Sequence, residues 1–362
     1  MTVIDTTPAL ARIVNLHELE PLARSAMEPA TWDYVAGGAW DELSLAENVA
    51  AWRRRTLRPR VLVDVANVTT ATALLGMPSA MPIAIAPTAG HGLVHPEGEV
   101  ATARAAAAAG IPFTLATMST RSIEEVAAAT PDAIRWFQLY VQADPQRTRE
   151  LVERAAAAGY RAIIVTVDLP VLGYRDRDRR NRFDLPGPLG NLPDVPVGPP
   201  PDDDEVQVPD LLSRSLTWAD LTTIRGWAPG LPFVLKGILT AEDARLAVEH
   251  GAEAIVVSNH GARQLDRVPA TIDVLEEIVD AVRGRTEIWV DGGVRRGLDV
   301  AIALALGARG VLVGRPIQWG LAVAGQAGVE RVLAILREEL EIALALLGTP
   351  TPGHLTRAHV GA

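Results

Sequence analysis

The chain contains no cysteine, which excludes disulfides, thiolate catalysis and cysteine-ligated metal sites. Lysine is scarce while arginine and alanine abound, a pattern that reflects GC-rich coding rather than a physical constraint. Positive charge is in deficit: the formal net charge is -10. General nucleic-acid binding is therefore not expected, because it needs a basic surface to displace counterions. A local basic pocket for an anionic ligand remains compatible with that total. No uncharged apolar run reaches the length of a membrane span. The opening residues, MTVIDTTPALARIV, lack a charged segment followed by a long apolar core, so no signal peptide is expected. The closing residues, PTPGHLTRAHVGA, carry no lipidation or peroxisomal signal. These absences point to a cytoplasmic enzyme without membrane attachment.

One phrase recurs along the 362 residues: an alanine-rich helix, a glycine turn, then a short β-branched run. ATARAAAAAG-IPFTLA, LVERAAAAGY-RAIIVTV, ARLAVEHGAE-AIVVSN and AIALALGAR-GVLVG all follow it. A helix capped by glycine and followed by a continuously apolar strand is a βα unit of a parallel sheet buried on both faces. Eight such strands are expected: 81–86, 111–116, 134–139, 161–167, 232–236, 253–258, 287–291 and 310–313. Eight units fit a closed (β/α)8 barrel, a TIM barrel of the α/β class, forming a single domain over residues 1–362. Residues 15–80 are expected to form a cap of two helices and a short extended piece. Residues 185–210 break the rhythm with eight prolines and the acidic run Asp202 to Glu205, and are expected to be a loop or lid. The last helix is expected over 328–347.

Barrel chemistry collects at the C-terminal ends of the strands. Read there, the chain offers Ala86-Pro87-Thr88-Ala89, Thr117, Gln138 and Tyr140, Thr166 and Asp168, Lys236, Ser258-Asn259-His260, Asp291-Gly292-Gly293 and Gly314-Arg315. A full ring of polar strand ends implies one pocket. DGGVRRG and GRP follow the seventh and eighth strands, where barrels bind phosphate. Their glycines let backbone N–H groups approach an anion, and Arg295 and Arg315 add charge. In SNHGARQLD, His260 leaves the sixth strand as a candidate base, and the planar fork of Arg263 suits a carboxylate. A base beside a carboxylate anchor is what a 2-hydroxy acid requires. Asp168 is placed to stabilise the imidazolium. Lys236 suits a cofactor that becomes anionic on reduction. His91 and His95, in GHGLVHPEGE, flank a turn; a metal site there would lack a third ligand. His17, His250, His354 and His359 read as surface or capping residues. The run YRDRDRRNRF reads as a solvated charged face, from which one arginine could reach the mouth.

SNHGARQLD, DGGVRRG, GRP, APTA, WFQLYV and TVDLP together strongly resemble the FMN-dependent 2-hydroxy-acid oxidase and dehydrogenase family, from about Leu19 to about His359. The resemblance implies FMN as cofactor, a small 2-hydroxy acid as substrate and a homotetramer. It makes His260 the catalytic base paired with Asp168, and Tyr140 the contact of the substrate hydroxyl. Tyr34, Arg175 and Arg263 become carboxylate binders. Ala86, Pro87, Thr88, Ala89, Gln138 and Thr166 would line the isoalloxazine ring, with Lys236 at its N1 and O2 edge. Ser258, Asp291, Gly292, Gly293, Arg295, Gly314 and Arg315 would hold ribityl and phosphate.

Three positions depart from that pattern: Met118 stands for a bulky aromatic, Ala116 for a serine and Val35 for a tyrosine. With Leu172, Met118 is expected to form the wall over the substrate side chain and to favour acids larger than glycolate. Ala89, where dehydrogenase relatives often carry glycine, leans toward oxygen as acceptor. Alternatives are a dehydrogenase with a quinone or protein acceptor, and a non-catalytic FMN-binding barrel.

Overall fold

A computed structural model describes residues 10–185, 187–195 and 211–361. Eight parallel strands close a barrel: β1 (Ile83–Ile85), β2 (Phe113–Ala116), β3 (Arg135–Leu139), β4 (Ile163–Thr166), β5 (Phe233–Ile238), β6 (Ala254–Val257), β7 (Glu287–Val290) and β8 (Gly310–Val313), with β8 pairing back to β1. All eight fall where the glycine-punctuated pattern places them, and the barrel agrees with the expected fold. Around them run α1 (Gly98–Ala109), α2 (Ile123–Ala129), α3 (Pro145–Ala157), α4 (Asp220–Gly226), α5 (Ala241–Glu249), α6 (Thr271–Val282), α7 (Gly297–Ala305) and α8 (Arg315–Leu347). Helix starts are specified locally. Ser122 and Glu125 form a capping box at α2, Asp144 caps α3 and Thr240 caps α5.

Strand alternation divides the core in two. Ile83, Ile85, Phe113, Leu115 and their equivalents face the helices. Ala84, Ile164, Val234, Val256 and Leu312 face inward around Trp136 and Trp289, whose rings stack at 4.9 Å. The lumen is thus filled, as in other barrels of eight strands. The hairpin Thr72–Leu74/Met77–Ser79 inserts Leu74 into this inner cluster.

Several expectations need correction. The N-terminal cap holds three helices, Leu16–Ala26, Pro29–Ala36 and Leu43–Arg54, rather than two. A short strand after it, Thr56–Leu57, pairs with Val360–Gly361, tying the cap to the C-terminal residues. The last helix begins at Arg315, not at residue 328, and is broken by non-helical Ala324 and Gly325. By length and composition alone α8 could cross a membrane. Its apolar face, however, including Leu333, Leu336, Leu340 and Leu344, lies in the core. Part of the proline-rich loop packs inward: Leu189, Leu192 and Val195 are buried. Asn191 there donates to the Ala116 and Ser119 oxygens and accepts from the Ile123 N–H. Residue 186 and residues 196–210, with the acidic run, lie outside the described residues.

The break in α8 folds Gly320 against Gly328, and a Cβ on Gly328 would fall 1.9 Å from the Gly320 carbonyl oxygen. Gly328→Ala must push the two helical halves apart, an overpacking cost of about 1–3 kcal/mol or more. Gly226→Ala has nothing within 4 Å and gains about 0.5–1 kcal/mol of helix propensity. Thermal unfolding of the two variants is expected to shift in opposite directions.

Candidate active site

The eight strand ends meet in one cavity. Its lining includes Tyr34, Ala86, Pro87, Thr88, Ala89, Met118, Tyr140, Leu172, Arg175, Lys236, His260, Arg263, Asp291, Gly292, Gly293, Arg295, Gly314 and Arg315. Asp168, Gln138, Thr166 and Ser258 lie behind that surface. Gln138 Nε2 donates to the Thr166 hydroxyl at 3.0 Å, and Gln138 Oε1 accepts from the Thr117 N–H. The Ser258 hydroxyl accepts from Lys236 Nζ at 3.0 Å and from the His260 N–H at 3.1 Å. That second bond steadies His260, whose φ of 59° lies in the left-handed region.

His260 Nδ1 donates to Asp168 Oδ1 at 2.8 Å, and the Tyr140 hydroxyl donates to Nε2 at 3.2 Å. Burial pushes the His260 pKa below its ordinary value; Asp168 opposes this, while Lys236 and Arg175 add to it. Burial works against the Asp168 carboxylate too, but the neighbouring His260 and Lys236 bring its pKa down overall. The pair is therefore a neutral imidazole on an ionised carboxylate. The proton sits on Nδ1, and the Nε2 lone pair, which here accepts from Tyr140, becomes a base once the phenol turns to a substrate oxygen. Burial carries the Tyr140 phenol well above its usual range, so it stays a donor. Gly237, with φ of 114°, permits this packing: a Cβ there would sit 2.6 Å from Asp168 Cγ.

Positive charge dominates the cavity. Lys236, the only lysine in the chain, pairs with Asp291 at 3.3 Å. Arg175 has Asp178 at 3.7 Å. Arg263, Arg295 and Arg315 make no ion pair among the described residues. Arg263 donates to the Tyr34 and Gly37 carbonyls and lies 4.7 Å over the Tyr34 ring. Arg315 donates to the carbonyls of Val35, Gly37 and Gly261. Arg295 lies 4.7 Å over Trp319. Burial, with other arginines nearby, pushes Arg315 down to about 9, and burial pushes Arg295 down to about 10. These desolvated cations call for an anion.

FMN fits this donor set. Its phosphate monoester carries about -1.5 to -2 charges, matched to Arg295 and Arg315 beside the glycine loops. Asp291 lines the cavity, and its Oδ1 is a buried acceptor without a partner. Lys236 would offset the negative charge that reduction adds to a bound flavin. Gly293 has a steric reason of its own to be glycine: a Cβ would strike the Asn48 carbonyl of the cap at 1.8 Å. In the charged run Arg175 reaches the mouth as expected, and only the reading of Asp178 as part of a solvated face is corrected. Arg175 and Asp178 point inward and are buried, while their neighbours form the outer face. Asp178, Phe183, which stacks on Tyr34 at 4.5 Å, and Gln318 line the cavity without having been singled out. The three-residue spacing of Arg175 and Asp178 was the one available signal for the aspartate.

A closed barrel whose strand-end cavity joins a hydrogen-bonded histidine–aspartate pair to several arginines is the arrangement of a flavin-dependent oxidoreductase of small hydroxy acids. The chain matches the family model of FMN-dependent dehydrogenases over residues 23–362 and belongs to that family. It is 50% identical to an L-lactate oxidase of Nostoc sp. over 350 residues, covering 94% of this chain and 96% of that protein. It is 48% identical to a glycolate oxidase of Spinacia oleracea, covering 97% and 96%. A crystal structure of mandelate oxidase with benzoyl-formic acid superposes with a TM-score of 0.88 at 45% identity, covering 96% and 98%. The protein is an FMN-dependent enzyme that oxidises 2-hydroxy acids.

If His260 acts as the base in its neutral form, the lowering of its pKa by burial predicts anaerobic flavin reduction that is flat through neutral pH. It should fall about tenfold per unit once the pH drops below that pKa. His260→Gln is expected to retain FMN and slow reduction by at least about 10²–10⁴-fold. Stopped-flow bleaching of the flavin measures both; near-normal reduction by the variant would remove His260 from the chemistry.

Proposed function

We propose that this chain oxidises an L-2-hydroxy acid with an apolar side chain to the 2-keto acid and returns the electrons to oxygen, giving hydrogen peroxide. The observation that carries this reading is the shared cavity of His260 Nε2, the Tyr140 hydroxyl, Arg175 and Arg263. The arginine pair receives the substrate carboxylate; Arg263 is already fixed by two backbone carbonyls and the Tyr34 ring, so little side-chain entropy is lost on binding. Tyr140 fixes the substrate oxygen by a hydrogen bond. His260 takes a proton from the substrate through Nε2, and ionised Asp168 stabilises the imidazolium that forms. Bound FMN supplies the two-electron acceptor. Carboxylate, oxygen and reacting hydrogen held at three points select one enantiomer.

Oxygen as acceptor is supported by Ala89 in the cavity wall and by the oxidases among the similar proteins. The homotetramer suggested by resemblance has one supporting feature: Val61, Leu62 and Val63 stand exposed in a row. Light scattering of the holoenzyme tests it.

The side-chain wall is apolar: Met118, Leu172, Leu189, Val195, Leu211 and Leu212. Each extra substrate methylene buried there is worth about 1–3 kcal/mol in discrimination. Lactate or longer and aryl acids are expected to exceed glycolate in kcat/KM, and Met118→Trp should return preference toward glycolate. A panel of both enantiomers of glycolate homologues and mandelate measures this. A wild-type preference for glycolate would abandon the size argument, and equal rates for two enantiomers would contradict the docking. Reduced enzyme is expected to reoxidise in air within milliseconds to seconds; reoxidation over minutes, with a quinone reacting fast, would assign it as a dehydrogenase.

A further inference from the structure

Residues 168–175, which follow β4, carry three members of the site: Asp168, Leu172 and Arg175. None of the three lies in a helix or strand, so no backbone ladder fixes their spacing. One side chain from the loop after β6 spans them. Gln264 Nε2 donates to the Asp168 carbonyl at 3.1 Å and to the Val171 carbonyl at 2.8 Å. Gln264 Oε1 accepts from the Gly173 N–H at 3.2 Å and from Arg175 Nη2 at 3.3 Å. The peptide groups on either side of Leu172 are thus both bound, and Gln264 is itself buried.

The sense of this amide is fixed. Both partners of its nitrogen are carbonyls, which only accept, and both partners of its oxygen are N–H groups, which only donate. Turned over, the carboxamide would set oxygen against two oxygens and N–H against N–H. As it stands, both donors and both lone pairs of the carboxamide are used. The two loops also meet through their backbones. A Cβ on Gly173 would sit 2.4 Å from the Arg263 carbonyl oxygen and 2.6 Å from that of Gln264. Arg175 Nε donates to the same Arg263 carbonyl at 3.0 Å. Gln264 reaches out from a turn in which His260, Gly261 and Ala262 are all left-handed, with φ of 59°, 63° and 61°. Such backbone persists only where its surroundings hold it. The grip of Gln264 therefore ties His260 and Arg263 on one loop to Asp168 and Arg175 on the other.

We propose that Gln264 is a positioning residue for substrate oxidation. By holding residues 168–175 at a fixed spacing, it sets the distance from the His260–Asp168 pair to the carboxylate anchor and presents Leu172 to the substrate side chain. The carboxylate of a 2-hydroxy acid is bonded directly to the carbon that is oxidised, so base and anchor have no slack between them. A displacement of about 1 Å in such a constellation costs about 10²-fold in rate. This role rests on the function proposed above, in which Arg175 and His260 serve one substrate.

Two measurements on the FMN-loaded enzyme test it. Propionate has a carboxylate and no hydroxyl to oxidise, so its dissociation constant, read from flavin absorbance, reports the anchor. The limiting rate of anaerobic flavin reduction by the best 2-hydroxy acid reports the base. Gln264→Met keeps the length of the side chain and removes its hydrogen bonds. Gln264→Glu keeps the shape, but sets a carboxylate oxygen against two carbonyls and pairs with Arg175. Both variants are expected to weaken propionate about fivefold, the worth of one hydrogen bond, and to lower the limiting rate about tenfold or more. A merely structural residue would lower the unfolding temperature of the holoenzyme and leave both constants alone. In an Arg175→Met background, Gln264→Met is expected to weaken propionate no further. If the variants bind FMN and leave either constant unchanged, or if neither takes up FMN, the positioning role is overturned. It is overturned as well if Gln264→Met weakens propionate equally with and without Arg175. Wild-type flavin that no 2-hydroxy acid bleaches would instead overturn the function on which this role rests.

Discussion

The site depends on half-buried guanidinium groups held without carboxylate partners. Arg263 and Arg315 are held instead by carbonyls at the C-terminal end of the cap helix Pro29–Ala36: Tyr34, Val35 and Gly37. That end carries the negative pole of the helix dipole and its unsatisfied carbonyls. Partial charges fix the cations in place without neutralising them. A carboxylate partner would have stabilised the empty protein and left nothing for substrate carboxylate or cofactor phosphate to neutralise. The desolvation cost of these cations is thus carried by folding and recovered on binding.

This places the cap inside the active site rather than beside it. The cap supplies Tyr34 and the carbonyls that orient two arginines. Asn48 in its third helix exchanges hydrogen bonds with Asn259, the residue before His260. The Asn48 carbonyl also presses on Gly293 closely enough to forbid a Cβ. The barrel provides the rigid ring of strand ends, and the cap sets the local field and seals one side. Between them the left-handed His260 and the left-handed Gly237 bring imidazole and Asp168 together. Such backbone is costly and persists because Ser258, Lys236 and Asp291 pack it from below.

Much of this was legible along the chain. Glycine-capped alanine helices alternating with β-branched runs specify βα units by local propensity, and each strand end can be read directly. The ring from Ala86 to Arg315 therefore emerged nearly whole, as did His260 beside Arg263. The middle of the cap was not legible, because its third helix starts at Glu42 in a left-handed conformation with no side-chain cap. The full extent of α8 was hidden by the break at Ala324 and Gly325.

The sequence alone determined the barrel, the order of its catalytic side chains and the family, because those are written in short-range periodicity and in contiguous motifs. Only the tertiary structure decided which charges are buried. Arg175 and Asp178 turn inward from a run whose other charges stay outside, because Gln264 and the Arg263 carbonyl, about ninety residues away, accept from Arg175. His91 reads as one more turn residue until folding places it between Thr88 and Thr102. Desolvation and hydrogen-bond sense depend on everything packed around a group, and no local pattern carries that information.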